Sequence, residues 1–508
     1  MRRTGLDRTV SAVSAERTVV DRERPFHLHE LFFSATDQRG LIRSANSVFG
    51  RVAGYRPDEY LGKPHNLVRH PDMPRAVFRL LWSYLQRGEP IAAYVKNRAK
   101  DGGYYWVMAL AFPAGDELVS IRLKPSSELF PVVEQLYKDL LQIERRVEAN
   151  AESVGAGRTA AIEASEAALG AALADLGFED YSSFMRKAFA SEVAARRAGL
   201  ERGSGGAAST RSVSTSTPTA GSFDHATFDH GSFGGGALDH GSVDTNRSLA
   251  STLQVCGEMG RHLDTLALRL DKFERIAAEF AGSTEFFADL AEDVGLFALN
   301  AGLTADRVRM KAVVLRSVAE LMQAGARGVE RDVADLGASL SDATRHVRRL
   351  AFAVAGSTVA VEMVTSFLAY VASGDAANTP GGARVGADTS GLLVSLATDL
   401  ADVESALGGL DAVLAQLLPP LRLLEAHIAQ LRILRIRAEV EAAEDASARQ
   451  FVTIIAEVEG QLVSGLDRCR QLAAMVDDAR ADAQRLDRKS LRQDQARLDE
   501  IRTALLRA

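Results

Sequence analysis

The chain is poor in the residues that build covalent or metal staples. Its 508 residues include two cysteines, Cys256 and Cys469, which lie far apart and fit no disulfide or metal-ligand pattern. Such sparing use of cysteine fits a reducing compartment, and the cytoplasm is the expected location. Positive charge is not in excess: the formal net charge is −7, which gives no reason to expect a nucleic-acid partner. Residues 1–24 are polar and Arg-rich and contain no apolar h-region of a signal peptide. Long apolar runs are also scarce. The nearest to a membrane span is Ala351 to Ala372, but Glu362 sits near its centre among Ser357, Thr358, Thr365 and Ser366. A charge at that depth in a bilayer costs at least roughly 2.5 kcal/mol. A buried bundle helix is the expectation there, with no membrane span.

Signatures of enzymatic output are missing too. There is no P-loop, no Gly-rich ATP lid, no diguanylate cyclase signature and no metal-ligand cluster. His262, His346 and His427 fall in helical patterns, none opens a kinase-type phosphoacceptor segment, and each reads as a helix-surface histidine. No catalytic residue and no metal ligand is assigned, and a non-enzymatic protein is expected.

What is present divides the chain by composition. Residues 1–24 read as a disordered tail, and 25–127 hold short strand patterns, both tryptophans and much of the aromatic weight. Residues 128–200 switch to helical spacing, as in Leu136, Leu140, Ile143 and Val147. Gly155 and Gly157 are expected to split this extension into two helices, the second ending in the core stripe Tyr181, Phe184, Met185 and Phe189. Residues 201–247 are Gly- and Ser-rich, with SFDH, TFDH and ALDH units that place His225, His230 and His240 after aspartates. Such a stretch buries too little apolar surface to offset its ordering entropy, so a disordered tether is expected rather than a metal site. Residues 248–508 are helix formers with apolar positions three and four apart, such as Leu263, Leu266, Leu270 and Phe273. A loop at 374–391, with Pro380, Gly381 and Gly382, divides them, and an antiparallel bundle of long helices is expected.

Within 25–127 the pattern predicts strands at Leu31 to Thr36 and Leu41 to Ala45, joined by the turn Asp37-Gln38-Arg39-Gly40. Asn46 to Ala53 reads as a helical turn. Asp72 is placed to cap a helix from Met73 to Arg87, with Pro74 in its first turn. Ile91 to Arg98 and Tyr104 to Phe112 then form a hairpin across Asp101-Gly102-Gly103, and Leu118 to Leu123 closes the sheet. The fold class is α+β, a five-stranded antiparallel sheet with flanking helices that cups a pocket, joined to an all-α long-helix bundle. Alternation along the third strand puts Asn97 on one face with Ile91, Ala93 and Val95. A buried amide left unpaired costs about 1–3 kcal/mol, so either a bound polar-edged ligand or a backbone partner must meet it.

The run from Asn46 through Phe49, Gly54-Tyr55, PHNLVRHPDMP (Pro64 to Pro74), Phe78, Leu81-Trp82, VKNRAKDG (Val95 to Gly102) and YYWV (Tyr104 to Val107) closely resembles the PAS domain of bacterial aerotaxis receptors. The resemblance covers roughly residues 26–124 and implies a non-covalently bound FAD whose redox state is read. Carried over by position, the flavin contacts fall on Asn46, Arg69, His70, Asp72 and Asn97. One departure stands out: where that family carries Trp after the Gly-x-Pro turn, this chain has Ile91. Losing an aromatic wall removes roughly 1–3 kcal/mol of burial, which leaves haem, or an empty PAS domain acting as a dimerisation module, as alternatives to FAD.

A fainter resemblance covers residues 248–508. Leu296 to Leu303, followed by Ala312-Val313-Val314 and Val318, is similar to a shortened chemoreceptor (methyl-accepting chemotaxis protein) hairpin tip. Arg437 to Ala443, then Phe451 and Ala456-Glu457-Val458, is a second imperfect copy, which suggests an internal duplication. That family binds the chemotaxis kinase and its coupling protein at the tip, but neither copy keeps its Glu-Gln-Gly-Arg-Gly turn. From Ser248 onward no adjacent Glu/Gln methylation pair occurs. The expected function is an intracellular redox or oxygen transducer, a homodimer or higher oligomer, that signals to a chemotaxis-type partner. Because 201–247 reads as a tether, transmission is expected to run by docking between the two halves. The alternative is a non-enzymatic scaffold with a ligand-free PAS module.

Overall fold

The computed structural model describes residues 19–151, 153–207, 240–307, 312–372, 382–443, 449–486 and 488–505. It divides into two compact units, one holding residues 1–258, 359–396 and 500–508 and the other 259–358 and 397–499.

The first unit is built on a five-stranded antiparallel sheet. In chain order it runs β1 (Phe32–Asp37), β2 (Ile42–Ala45), α1 (Ser47–Ala53), α2 (Pro57–Tyr60), a 3-10 turn (His65–Val68), α3 (Arg75–Gln86), β3 (Ile91–Arg98), β4 (Tyr104–Ala114) and β5 (Glu117–Leu123). The sheet order is β2-β1-β5-β4-β3, so the last strand inserts beside the first. The β1–β2 turn is set by Asp37, whose carboxylate accepts the backbone N–H groups of Arg39 and Leu41 at 3.0 and 2.9 Å. Gly40 closes it at φ 79°, and a Cβ there would sit 3.2 Å from the Trp82 ring. Both backbone conformation and space therefore require glycine.

One expected cap is not made. Asp72 does not cap α3; Pro74 precedes the helix without a side-chain cap. Instead Glu144 reaches in from α4 (Leu129–Ala149) and accepts the N–H groups of Arg75 and Ala76 at 3.0 and 3.1 Å. A negative charge at a helix N-terminus satisfies its orphan donors and its dipole together. Spacing within the 64–74 string could not show a cap supplied from a later helix.

The extension after the sheet forms three helices rather than two: α4, α5 (Val154–Asp175) and α6 (Tyr181–Ala207). The first break falls before the glycine pair, where Ser153 caps α5, and Gly155 and Gly157 lie inside the helix. Gly157 is needed for close approach, since a Cβ there would lie 2.5 Å from that of Ala151. The second break follows Gly177 at φ 79°. The stripe Tyr181, Phe184, Met185 and Phe189 is buried on α6. Beside it Glu192, fully buried, accepts from Ser126 N, Ser127 N, Ser127 Oγ and Tyr94 Oη at 2.6 to 3.0 Å. A buried carboxylate is tolerated only when so satisfied. Burial and this carboxylate push the Tyr94 hydroxyl pKa well above its ordinary value.

The same unit includes the end of α8 (Ala312–Ala372). Arg196 of α6 donates to the carbonyls of Leu28 and His29 at 2.9 and 3.0 Å and, through Nη1, to both oxygens of Glu362 at 2.8 and 2.6 Å. Phe367 meets Phe33 of β1 edge-to-face at 4.9 Å. Within this unit α6 and β1 therefore touch the end of α8 through an ion pair and a ring contact. The expected linker is shorter than 201–247, because α6 runs to Ala207 and α7 (His240–Arg307) begins at His240; His225 and His230 lie outside the described residues.

In the second unit, parts of α7, α8, α9 (Gly382–Ala415), α10 (Leu418–Ala443), α11 (Arg449–Gln484) and α12 (Arg488–Leu505) pack as a long-helix bundle. The expected loop at 374–391 is shorter, because α9 already begins at Gly382; Leu392, Leu393 and Leu396 bury one face and carry the helix back toward its start. A break between α9 and α10, with Pro419 and Pro420 in the first turn of α10, was not foreseen. Helices α8 and α10 approach closely at Gly325 and Gly328, where a Cβ would meet Leu431 at 2.7 Å and His427 at 3.0 Å. The three helix histidines are not plain surface residues, since each bonds to another helix: His262 to Asp494 at 2.7 Å, His346 to the Ala406 carbonyl at 2.7 Å and His427 to Asp332 at 2.5 Å.

Cys256 and Cys469 are buried and free, and burial pushes their thiols up to about 11 and about 12. Among the described residues, Arg316–Tyr370 and Gly391–Val440 are long and apolar enough to cross a membrane. The most apolar part of the first is 72% buried within the protein, as a core helix would be.

Candidate ligand pocket

The concave face of the sheet encloses a cavity of about 610 Å³. Its floor is made of small side chains, Ser34 on β1, Ala109 and Ala111 on β4 and Ser120 on β5. These come into line because β5 pairs with both β1 and β4, setting Ser34 opposite Ser120 and Ser120 opposite Ala111. Helix α3 supplies an aromatic wall, Phe78 and Trp82, four residues and one turn apart. The result is a broad slot with an apolar wall and polar edges, the usual make-up of a cofactor site.

The cavity has two polar groups in its lining. In one, Asn97 of β3 is buried and lines the cavity together with Val95, on the face expected from alternation. Arg69 lies beside it, joined through an isolated antiparallel bridge, with its guanidinium 4.0 Å over the Phe78 ring. In the other, Arg122 of β5 is buried, and its Nη2 donates to Ser34 Oγ at 3.0 Å and His65 Nε2 at 2.8 Å. Its Nη1 has no hydrogen-bond partner. Burial lowers the Arg122 pKa to about 10, still cationic at neutral pH. Burial, with Arg122 adjacent, pushes His65 down to about 3, so its imidazole is neutral and accepts from the guanidinium. The pocket therefore holds a fixed positive charge with an unspent donor, which costs free energy until an acceptor meets it.

The expected site residues separate into two groups. Arg69 and Asn97 line the cavity; Asn46, His70 and Asp72 do not. Asn46 is fully occupied in the frame: Oδ1 accepts from Phe33 N and Phe49 N at 3.1 and 3.2 Å, and Nδ2 donates to Leu31 O at 2.8 Å. Asp72 pairs with Lys96 at 3.1 Å, and its backbone N–H donates to His70 Nδ1 at 3.1 Å. Burial, then the nearby Lys96, lowers the His70 pKa to about 4. Ile91 is buried but does not line the cavity, so the aromatic wall stands without a tryptophan at that position. Sequence reasoning missed Ser34, His65 and Arg122. His65 lay inside the 64–74 string and was open to discovery; the other two needed the β1–β5 register.

A profile of the PAS fold matches residues 42–121. The aerotaxis receptor of Escherichia coli (strain K12) is 41% identical over 133 residues, which are 25% of this chain and 26% of that protein. The nitrogen fixation regulatory protein of Klebsiella pneumoniae is 34% identical over 74 residues, 15% of each chain. The biofilm dispersion protein BdlA of Pseudomonas aeruginosa is 32% identical over 103 residues, 20% of this chain and 24% of that one. The chain thus spans about a quarter, or less, of the length of the curated relatives it matches. With the sheet order and the pocket, these matches identify the sheet domain as a PAS domain of the aerotaxis-receptor type, followed by a long-helix region consistent with a chemoreceptor-like module.

Proposed function

We propose that this chain is an intracellular sensory transducer whose PAS pocket holds FAD and reads its redox state. The observation that carries this reading is the pocket's shape and charge: a slot of about 610 Å³ with the Phe78–Trp82 wall, the Asn97 amide and the unpartnered Arg122 Nη1. Those features fit a planar ring system with polar edges that gains negative charge. A bound flavin would supply the redox couple. Asn97 would hold a polar ring edge, Arg122 would face the charge, and Arg69 would close the side beside Phe78. Asn46, His70 and Asp72 would act from the frame, holding β1, α1 and the 64–74 turn in place.

A change at the sheet has a route outward. Glu192 ties α6 to β3 through Tyr94 and to the exit of β5 through Ser126 and Ser127. Four residues along α6, Arg196 grips Glu362 of α8. Redox state would shift the population between two packings of these helices. In the second unit, Leu296, Leu299, Ile433, Ile436 and Val440 expose apolar side chains near the ends of α7 and α10. Exposed apolar groups of this kind favour protein contacts, and a second copy of the chain, the chemotaxis kinase and its coupling protein are the proposed partners. The lack of methylation pairs after Ser248 favours the second reading, a scaffold that uses the same surfaces without a ligand.

The purified full-length protein is expected to show flavin absorption bands that Asn97→Ala abolishes while the fold persists by circular dichroism. A colourless, folded wild type would leave the scaffold. Haem bands would replace FAD with the other cofactor.

A further inference from the structure

The cavity is not closed by the PAS domain alone. Helix α5 of the extension lays Arg158 and Ile162 along its rim, four residues and one turn apart, so a single helical face forms part of the wall. Arg39, Arg69, Arg75 and Arg79 reach the same rim. Three of these guanidiniums have carboxylate partners: Arg39 meets Asp37 at 3.5 Å, a carboxylate shared with Arg43 at 3.0 Å, Arg75 meets Glu148, and Arg79 meets Glu166 at 3.2 Å. Among the described residues, neither Arg69 nor Arg158 has a carboxylate partner. Burial first, then Arg75, lowers the Arg69 pKa; Glu144 opposes them, and Arg158 adds a smaller push in the same direction. Arg69, whose Nη2 also donates to the Met73 carbonyl at 3.4 Å, and the exposed Arg158 line one cavity without a carboxylate partner and present fork-shaped donors suited to phosphoryl oxygens.

We propose that Arg158 and Arg69 form an anion subsite at the cavity mouth that takes a phosphoryl group of the pocket's ligand. The proposal rests on the flavin reading above and adds where the phosphoryl group is held: part of its site lies on α5, outside the PAS domain. Occupancy would then be felt directly by the helix that links α4 to α6.

The test uses full-length protein freed of flavin, titrated with FAD, FMN and riboflavin, beside the variant Arg158→Gln. Loss of one charge-assisted contact is expected to weaken FAD and FMN about tenfold or more while riboflavin affinity stays within about twofold. FAD weakened more than FMN assigns the diphosphate; equal weakening assigns a single phosphate. Unchanged FAD affinity in the variant, or an equal loss for riboflavin, overturns the subsite and leaves flavin binding intact. Inorganic pyrophosphate separates the two ideas from the other side. Should wild type bind no flavin, yet pyrophosphate raise its melting temperature and not that of Arg158→Gln, the subsite stands and the flavin reading falls. Neither flavin binding nor pyrophosphate stabilisation would overturn both.

Discussion

The PAS domain and the helical bundle bury polar groups in different ways. Around the sheet, buried charge is held at many points: Glu192 accepts from four donors, Glu144 caps a helix, and Arg122 keeps a donor free in the cavity. In the bundle unit the buried aspartates Asp332 and Asp494 each meet a histidine on another helix, beside a mostly apolar core and inter-helix ion pairs such as Arg435 with Glu459. The difference teaches what each region is for. A bundle needs its polar pairs to fix which helices meet, whereas the PAS domain spends several to hold a pocket open and to tie it to helices outside the sheet.

Breaking the densest knot is expected to cost most. Glu192→Ala strands two backbone N–H groups and two hydroxyls, and a loss of about 3 kcal/mol or more is expected in denaturant unfolding. A variant within about 1 kcal/mol of wild type would show that the knot does not organise the domain. Gly325→Ala in the bundle, where the new Cβ meets Leu431, is expected to cost about 1–3 kcal/mol by overpacking. Its melting temperature should fall while the PAS absorption spectrum, if a flavin is present, stays unchanged.

The next effect is pH-dependent and falls on the PAS side. The folded pKa values of His65 and His70, about 3 and about 4, lie below the ordinary value of 6.5. Folding therefore disfavours their protonation. The stability this represents is full above about pH 6.5 and is lost as pH falls toward 4, by up to about 1.4 kcal/mol per pH unit for each histidine. His65→Gln should flatten that slope by one histidine's share, as measured by unfolding between pH 7 and 4. The smallest expected effect is at Glu362, which is 39% exposed: Glu362→Gln should change stability by about 1 kcal/mol or less. Limited proteolysis should nevertheless show the contact between α6 and α8 loosened, if that ion pair holds it.

The same contrast explains what the sequence disclosed. The strands were legible to within about two residues because turn chemistry and alternation are local, as at Asp37 and Gly40. The cap of α3 was misplaced on Asp72 because the real carboxylate, Glu144, belongs to a later helix. Arg122 was invisible for a similar reason, since only the pairing of β5 with β1 shows that it faces the cavity beside Ser34. In the bundle, periodicity revealed the helices but not their partners, so His262, His346 and His427 passed for surface residues. For the α3 cap, Arg122 and the helix histidines the missing information was long-range register, whereas the α5 start at Ser153 and the break before Pro419 and Pro420 carried local signals that were passed over.

The most direct test of the central claim is to purify the full-length protein, release any bound cofactor by heat, and identify and quantify it against the chain. The account predicts FAD, close to equimolar with the protein, and its loss from Asn97→Ala. A folded protein that releases no flavin, or releases haem, would contradict it.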